Sequence, residues 1–512
     1  MHFMSDNLQK WHSKILKNTF YPTFLFDNLQ KSDNLYLRSI CMKIIGRKKE
    51  LETLNRLLNS PRPEFVCLYG RRRVGKTFLI KQFFREKFSF YTTGIKKLSN
   101  RSQLSNFKKK LNEYGYKVKG SVTSWIDAFD DLIELLKKDD VYRINGKRVV
   151  FIDEVPWMDA PKSDFKAGLD NFWNSWGSSQ ADLILIVCGS ATSWIINNLL
   201  KDTGGFYNRV TKKIKLCPFN IRELEELLLY NNVHFSTREI IETYMIFGGI
   251  PFYINLLNEN LSLAQNVDEL FFKEDSELKN EKDILLSSLF KHHENHEAIL
   301  NVLYRKKSGL SHKEISDLVP IDDGRTINTA LTELEECGFI RKFFDYKGTK
   351  RDSLYQVIDP FVLFSFNISE QNISSWNDYV GTPKYYAWSG LSFEIFCLNH
   401  IFEIKKSLGI SGISTNEYSF IKKESSYGAQ IDLLIDRKDY TINLCEMKFC
   451  NSEYEITKDD EQSILNKIDV FKKVTKSKKN IKTTFITLYG IKNNTHSHIV
   501  DKNVVVSNWF NQ

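Results

Sequence analysis

The chain has 512 residues, 42% of them hydrophobic and 26% charged, with a formal charge of +9; that length is too great for a single core, and the composition excludes a disordered chain. Its eight cysteines include no CxxC pair and no Cys/His cluster at zinc spacing, which argues against a structural metal and for a reducing compartment. No apolar run approaches the roughly 18 residues of a membrane helix, and the first 41 residues lack a signal-peptide h-region, so a cytoplasmic protein with no membrane attachment is expected.

The mild positive charge permits a polyanionic partner without demanding one. Basic residues gather in RRR (71–73), RKFFDYKGTKR (341–351) and FKKVTKSKKNIK (471–482), runs that by themselves are more often solvated faces than binding sites.

In chain order, the first informative stretch is EFVCLYG, a short apolar run that reads as a buried strand. It leads into GRRRVGKT and the helix-like FLIKQFF. Gly70, Gly75, Lys76 and Thr77 satisfy G-x-x-x-x-G-K-S/T in the strand–loop–helix context that a phosphate loop requires. Glycines let backbone N–H groups wrap phosphates, a helix N-terminus favours anions, the lysine neutralises β/γ charge and the threonine can ligate Mg²⁺. Gly70, Arg71, Arg72, Arg73, Val74, Gly75, Lys76, Thr77 and Phe78 are accordingly expected at ATP, with Thr77 on the metal.

RVVFIDEV follows as a second buried strand ending in Asp153 and Glu154. Asp153 can hold Mg²⁺ through water, and Glu154 can orient the water that attacks the γ-phosphate. The alternative is an acidic strand end that merely caps the next helix. A third run, LILIVCGSATSW, places Ser190 and Thr192 at the same sheet edge, either as γ-phosphate sensors or as an ordinary turn. Alternation of strands and helices implies a parallel α/β sheet with nucleotide at its C-terminal edge.

MKIIGRKKELETLNRLL, LYGRRRVGKT, VVFIDEV, CGSATSW, FYNRVTKKIKLCPF and FGGIPFYI occur in this order. Together they resemble the archaeal-type ATPase family, within the AAA+/signal-transducing ATPase group, from about residue 42 to 257. The resemblance implies a helical lid after the core, Ile45, Gly46 and Arg47 beside the adenine, and Arg209 as a γ-phosphate contact or arginine finger. The family usually has glycine before this arginine, where the chain has Asn208. Because the family tends to begin at the position of Met42, residues 1–41 read as an extension of unknown role or as a start placed too early.

EAILNVLYRK, SHKEISDLV and RTINTALTELEECGFI have helical patterns, and in the last Ile327, Ala330, Leu331 and Leu334 share a face. RKFFDYKG and TKRDSLYQVID then read as two strands around a Lys-Gly turn. Three helices and a basic hairpin resemble a winged helix-turn-helix, with Arg325, Asn328 and Thr329 facing a groove and Lys347, Lys350 and Arg351 on the wing. Such modules bind DNA or serve as packing units.

Near the C-terminus, QIDLLIDRKDYTINLCEMKF reads as a hairpin carrying Asp432, Glu446 and Lys448 inside strand-like runs. Alternation puts Glu446 and Lys448 on one face. Two carboxylates there could hold Mg²⁺, with Lys448 positioning water or stabilising a pentacovalent phosphate. Upstream, GLSFEIFCLNHIFEI reads as a helix, apolar nearly all round except for Glu394, and DEQSILNKIDVFKK reads as a helix with Gln462 near its start. The order helix-Glu, strand-Asp, strand-Glu-x-Lys, helix-Gln resembles the PD-(D/E)xK nuclease core, with Ile431 in place of the motif's proline. That likeness implies metal ligation by Asp432, Glu446 and Glu394 and catalysis by Asp432, Glu446 and Lys448.

The expected organisation is an extension (1–41), a P-loop core (42–220), a lid (221–285), a winged helix (286–365) and a nuclease-like domain (366–512). The leading reading is an Mg-ATP hydrolase acting on DNA with a metal-dependent nuclease at its end. The rival is an ATP-driven switch whose last domain is a non-cleaving scaffold or DNA-binding module. An oligomer is compatible with either.

Overall fold

Strand β1 (Glu64–Tyr69) is apolar along most of its length because it lies inside a sheet covered on both faces. The computed structural model describes residues 43–118, 120, 123–190, 192–201, 208–346, 348, 353–422 and 428–510. With β2 (Phe90–Thr93), β3 (Arg148–Asp153), β4 (Leu183–Gly189) and β5 (Lys212–Lys215), β1 forms a parallel sheet in the order β2-β3-β4-β1-β5. The period-2 alternation of strands divides the packing. Cys67, Ile152 and Leu185 face the helices Asn100–Glu113, Trp125–Leu136 and Phe165–Ser175, whereas Leu68, Phe151 and Ile186 join a second core. The expected parallel α/β sheet is therefore present, and its strand ends set the positions of every residue at the nucleotide loop.

That second core runs through the helices Ile221–Tyr230, Thr237–Phe247 and Leu263–Phe271 and on toward the C-terminus as far as Trp509. Capping boxes at Asn220, Ser236 and Ser262 start all three helices. Residues Ile44–Gln512 make up one compact unit.

Next come the helices His293–Arg305, His312–Leu318 and Gly324–Glu336 with three antiparallel strands, β6 (Leu310–Ser311), β7 (Ile340–Phe344) and β8 (Ser353–Val357), in the order β6-β8-β7. Ile327, Ala330, Leu331 and Leu334 are buried, while Arg325, Asn328 and Thr329 are exposed. Lys347, Lys350 and Arg351 lie outside the described residues, as do residues 1–42.

The C-terminal sheet has the order β13-β12-β11-β10-β9, built from β9 (Thr415–Lys422), β10 (Ala429–Arg437), β11 (Thr441–Lys448), β12 (Asn480–Thr487) and β13 (Lys502–Val505). β10 and β11 are antiparallel, with Leu433 opposite Cys445, while β11, β12 and β13 run parallel. Helix Pro383–Asn399 packs on β11, and helix Lys458–Thr475 covers the other face.

The run GLSFEIFCLNHIFEI, expected as one helix, is two, because the chain breaks at His400 (φ −119°) before Ile401–Ser407. The cause is visible in the bonds of the imidazole. His400 Nε2 accepts from Ile221 N–H (3.1 Å), so Nδ1 carries the proton and donates to Phe396 O (2.8 Å). This buried ring thereby ties the C-terminal helices to the first residue of Ile221–Tyr230. Among the described residues, no helix is long and apolar enough to cross a membrane.

Burial lowers the His400 pKa from 6.5 to about 4. The unfolded chain therefore binds the extra proton first, and the stabilisation is complete above pH 6.5 and lost as pH falls to about 4, a swing of about 3 kcal/mol. Wild-type chain should lose more thermal stability between pH 7 and 4 than a His400→Gln chain, as measured by melting temperature; parallel losses would contradict the bridging role.

Candidate functional site

The phosphate loop leaves β1 at Gly70, where φ is +143° and a Cβ would meet Leu216 O at 2.3 Å. Only glycine fits this close approach to the end of β5. Gly75, at φ +90°, turns the chain into helix Lys76–Phe83. Lys76 is buried and donates from Nζ to Gly70 O (2.9 Å) and Arg71 O (2.8 Å), so it curls back over its own loop. Thr77 Oγ1 donates to Asp153 Oδ2 (2.7 Å), bringing the two expected Mg²⁺ ligands together at the ends of β1 and β3. A hydroxyl beside a buried carboxylate suits a hard, oxygen-preferring cation. Phe78 is half-buried on the helix behind the loop.

Glu154 stands in the left-handed region (φ 48°) at the head of the short helix Val155–Met158. Such a conformation is costly for a non-glycine residue and persists where the surroundings impose it. Here glycines at the neighbouring strand ends make the space: a Cβ on Gly94 would meet Glu154 O at 2.4 Å, and one on Gly189 would meet Pro156 Cδ at 2.6 Å. Ser190 N–H and Oγ both donate to Glu154 Oε2 (3.2 and 2.9 Å). Ser190, expected at the γ-phosphate, thus orients the glutamate; nothing is described of the Thr192 side chain.

The loop arginines divide. Arg71 is buried, forms an ion pair with Asp359 and lies 4.9 Å from the Phe339 ring centroid. Burial lowers its pKa. Arg73 pairs with buried Glu281 (2.8 Å), stacks 4.0 Å from the Phe252 centroid, and Tyr253 donates to the same carboxyl (2.9 Å). Against the expectation of nucleotide contact, these two side chains hold parts of the fold from Phe252 to Asp359. Arg72 is half-buried and has no carboxylate within 4 Å among the described residues. Val74 is buried, and its carbonyl accepts from Arg47 Nη2 (3.0 Å).

Arg47 also donates to Cys217 O (2.7 Å), and Glu223 Oε1 accepts from Arg47 N–H (2.8 Å). Gly46 fits against Glu223, whose Cγ would lie 2.7 Å from a Cβ. Gly46, Arg47 and Arg71 line a cavity of about 690 Å³ also bordered by Tyr244 and Gly248, while Ile45 is buried beneath.

Arg209 requires a correction. It is exposed, two residues before Thr211, whose N–H bonds Phe65 O at the start of β1. Because β5 runs parallel to β1, the residue preceding it lies at the edge opposite the phosphate loop. Arg209 therefore cannot contact a γ-phosphate held in its own chain.

At the C-terminal sheet Glu394, Asp432, Glu446 and Lys448 lie near enough for their charges to interact, but not in the arrangement expected of a metal site. A β-bulge between Ile431 and Leu434 interrupts the alternation around Asp432. Asp432 accepts from Gln430 (2.7 Å) and, with Glu394, borders a cleft of about 610 Å³. Glu446 instead pairs with Lys448 (3.2 Å) and Lys467 (2.7 Å), and Lys448 lies 3.8 Å from Asp460. Burial, then the fields of Asp432 and Glu446, raise the Glu394 pKa to about 8. Among the described residues no three such groups form a cluster that could hold a metal ion, and Glu446 is engaged by two ammonium groups instead; the arrangement does not fit a metal as it stands. Gln462 is exposed, and Lys467, five residues on, takes the place beside Glu446. Asp359, Glu281 and Lys467 gave no sequence signal beyond a helix cap, a helix start and one lysine among many.

Residues 44–257 match the family described as an ATPase domain predominantly from Archaea. An uncharacterized protein of Methanocaldococcus jannaschii is 24% identical over 380 residues, 71% of this chain and 78% of that one. An uncharacterized ATP-binding protein of the same organism is 54% identical over 43 residues, 8% of this chain and 73% of its own. Among solved structures, the Walker-type ATPase of Pyrococcus abyssi is 18% identical with a TM-score of 0.46, covering 64% of this chain and 96% of that one. The Aeropyrum pernix ORC2 protein is 16% identical with a TM-score of 0.40, covering 66% and 97%.

Lys76→Ala should abolish nucleotide binding by the full chain. Glu154→Gln should retain binding while turnover falls on the order of 10²-fold or more. Equilibrium binding of a fluorescent ATP analogue and phosphate release check both; binding by the first variant or turnover by the second would overturn these roles.

Proposed function

We propose that the chain, whose residues 44–257 form an ATPase domain of the predominantly archaeal family, couples Mg-ATP hydrolysis to work on DNA by its C-terminal half. The observation that carries the ATPase part is the 2.7 Å contact of Thr77 with Asp153, next to Glu154. In this reading the phosphates replace the loop carbonyls at Lys76 Nζ, and Arg72 adds charge from the side. Thr77 and Asp153 would hold Mg²⁺, which would supply charge neutralisation at the phosphates. Ser190 occupies Glu154 Oε2, which leaves Oε1 to orient the attacking water.

Nucleotide in the loop sits against the backbone of Arg71 and Arg73, so a change of phosphate state reaches Asp359 and Glu281 directly. The middle module reads as a winged helix, supported by its three helices, the exposed Arg325, Asn328 and Thr329, and its antiparallel strands. The C-terminal sheet, with Glu394, Asp432, Glu446 and Lys448 at one end, supports a nuclease-like module. A second copy of the chain would have to supply Arg209 if it acts as an arginine finger.

The pairing of Glu446 with Lys467 favours a second reading, in which this module binds nucleic acid without cutting it. Supercoiled plasmid incubated with Mg²⁺ or Mn²⁺, with and without ATP, separates the two. Nicking by wild type that is lost in Lys448→Ala supports a nuclease. Plasmid shifted on a gel but left intact supports the second reading, and a plasmid neither shifted nor nicked contradicts both.

A further inference from the structure

Next to the carboxylate cleft lies a second hollow, of about 280 Å³, and the two share Arg305, Lys307, Ala387 and Leu391. They form a continuous groove between the middle module and helix Pro383–Asn399. Arg305 and Lys307 are exposed and have no carboxylate within 4 Å among the described residues. The segment that carries Lys307 is held firmly. Gln356, buried in β8, donates to Lys307 O (2.8 Å) and accepts from Arg341 Nε (2.8 Å), and Gly309, at φ +86°, fits against the Phe343 ring.

The second hollow is lined in part by Trp388, which is 5% exposed and whose indole N–H has no acceptor among the described residues. A buried donor without a partner is costly, on the order of 1–3 kcal/mol, and points to an acceptor brought by a ligand. Exposed cations along the groove and an unsatisfied donor on its lining match a nucleic-acid strand, which brings phosphates and base acceptors. Trp388 is almost out of contact with solvent, so the edge of a stacked base pair cannot reach it, whereas an unpaired base is free to turn toward it.

We propose that this groove binds a single nucleic-acid strand, with phosphates on Arg305 and Lys307 and a base acceptor on Trp388 Nε1–H, and leads it to Glu394 and Asp432. The inference rests on the reading of the C-terminal half as nucleic-acid-directed and adds the path and the form of the substrate.

Fluorescence anisotropy in EDTA, with the full chain and short labelled strands of DNA and RNA and the matching DNA duplex, tests it. Wild type should prefer a single strand to the duplex. Arg305→Glu with Lys307→Glu should weaken strand binding on the order of tenfold or more and flatten its salt dependence. Trp388→Phe, which keeps an aromatic ring and removes the donor, should weaken it roughly threefold to tenfold. Unchanged ATP turnover and melting temperature show that each variant is folded. Equal losses on DNA and RNA support recognition of the shared phosphate and base, and a loss on one alone supports the groove and identifies that strand. Wild-type binding that neither variant weakens, or a preference for duplex, overturns the groove and leaves the DNA-directed reading standing. Absence of binding to every probe overturns both.

Discussion

A guanidinium almost cut off from water has to meet a carboxylate, and Arg71 meets that of Asp359, far along the chain in the segment before helix Pro360–Gln371. Surface ion pairs such as Lys473 with Asp469 contribute little, because solvent screens them and their side chains lose freedom. The Arg71 pair is different in kind. Removing one partner of a buried pair leaves an uncompensated charge, typically costing about 3–5 kcal/mol. The phosphate loop is thus bound to the segment that starts helix Pro360–Gln371, where Asp359 Oδ1 also caps Val362 N–H (2.8 Å). A loop that in sequence serves only phosphate is, in the fold, also the anchor of the middle module.

Around this anchor the nucleotide site is assembled by close approaches. Gly70 lets the loop pass Leu216, while Gly94 and Gly189 admit the strained turn that carries Glu154. Arg47 closes the other side by bonding the loop at Val74 and the segment after β5 at Cys217. The same side chains that shape the site therefore connect it to the helices that follow, and His400 adds a further bridge from the C-terminal helices to Ile221. One core running from the ATPase sheet to Trp509 packs around these contacts.

Much of the ATPase half is legible from local pattern. Strands buried on both faces are continuous apolar runs, and the phosphate loop is a contiguous motif, so β1, β3 and β4 and the Thr77–Asp153 meeting follow from sequence. What is not legible depends on distant partners. Nothing in GRRRVGKT indicates that Arg71 will face Asp359 and Arg73 will face Glu281. The reach of Arg209 depends on the sheet edge at which β5 starts, and only its parallel pairing with β1 decides that. At the C-terminal sheet, period-2 alternation correctly places Glu446 and Lys448 together but cannot foresee the bulge at Asp432 or the intrusion of Lys467. The groove past Arg305 and Trp388 joins residues that belong to different expected domains.

On the proposed function, nucleotide in the phosphate loop is sensed beyond the ATPase domain through Arg71 and Asp359. Hydrogen exchange of the full chain, with and without a non-hydrolysable ATP analogue and Mg²⁺, measures this. Exchange should slow both in the loop at 70–77 and in helix Pro360–Gln371, with the second effect lost in Asp359→Asn. Protection confined to residues 44–257 in the wild type would contradict it.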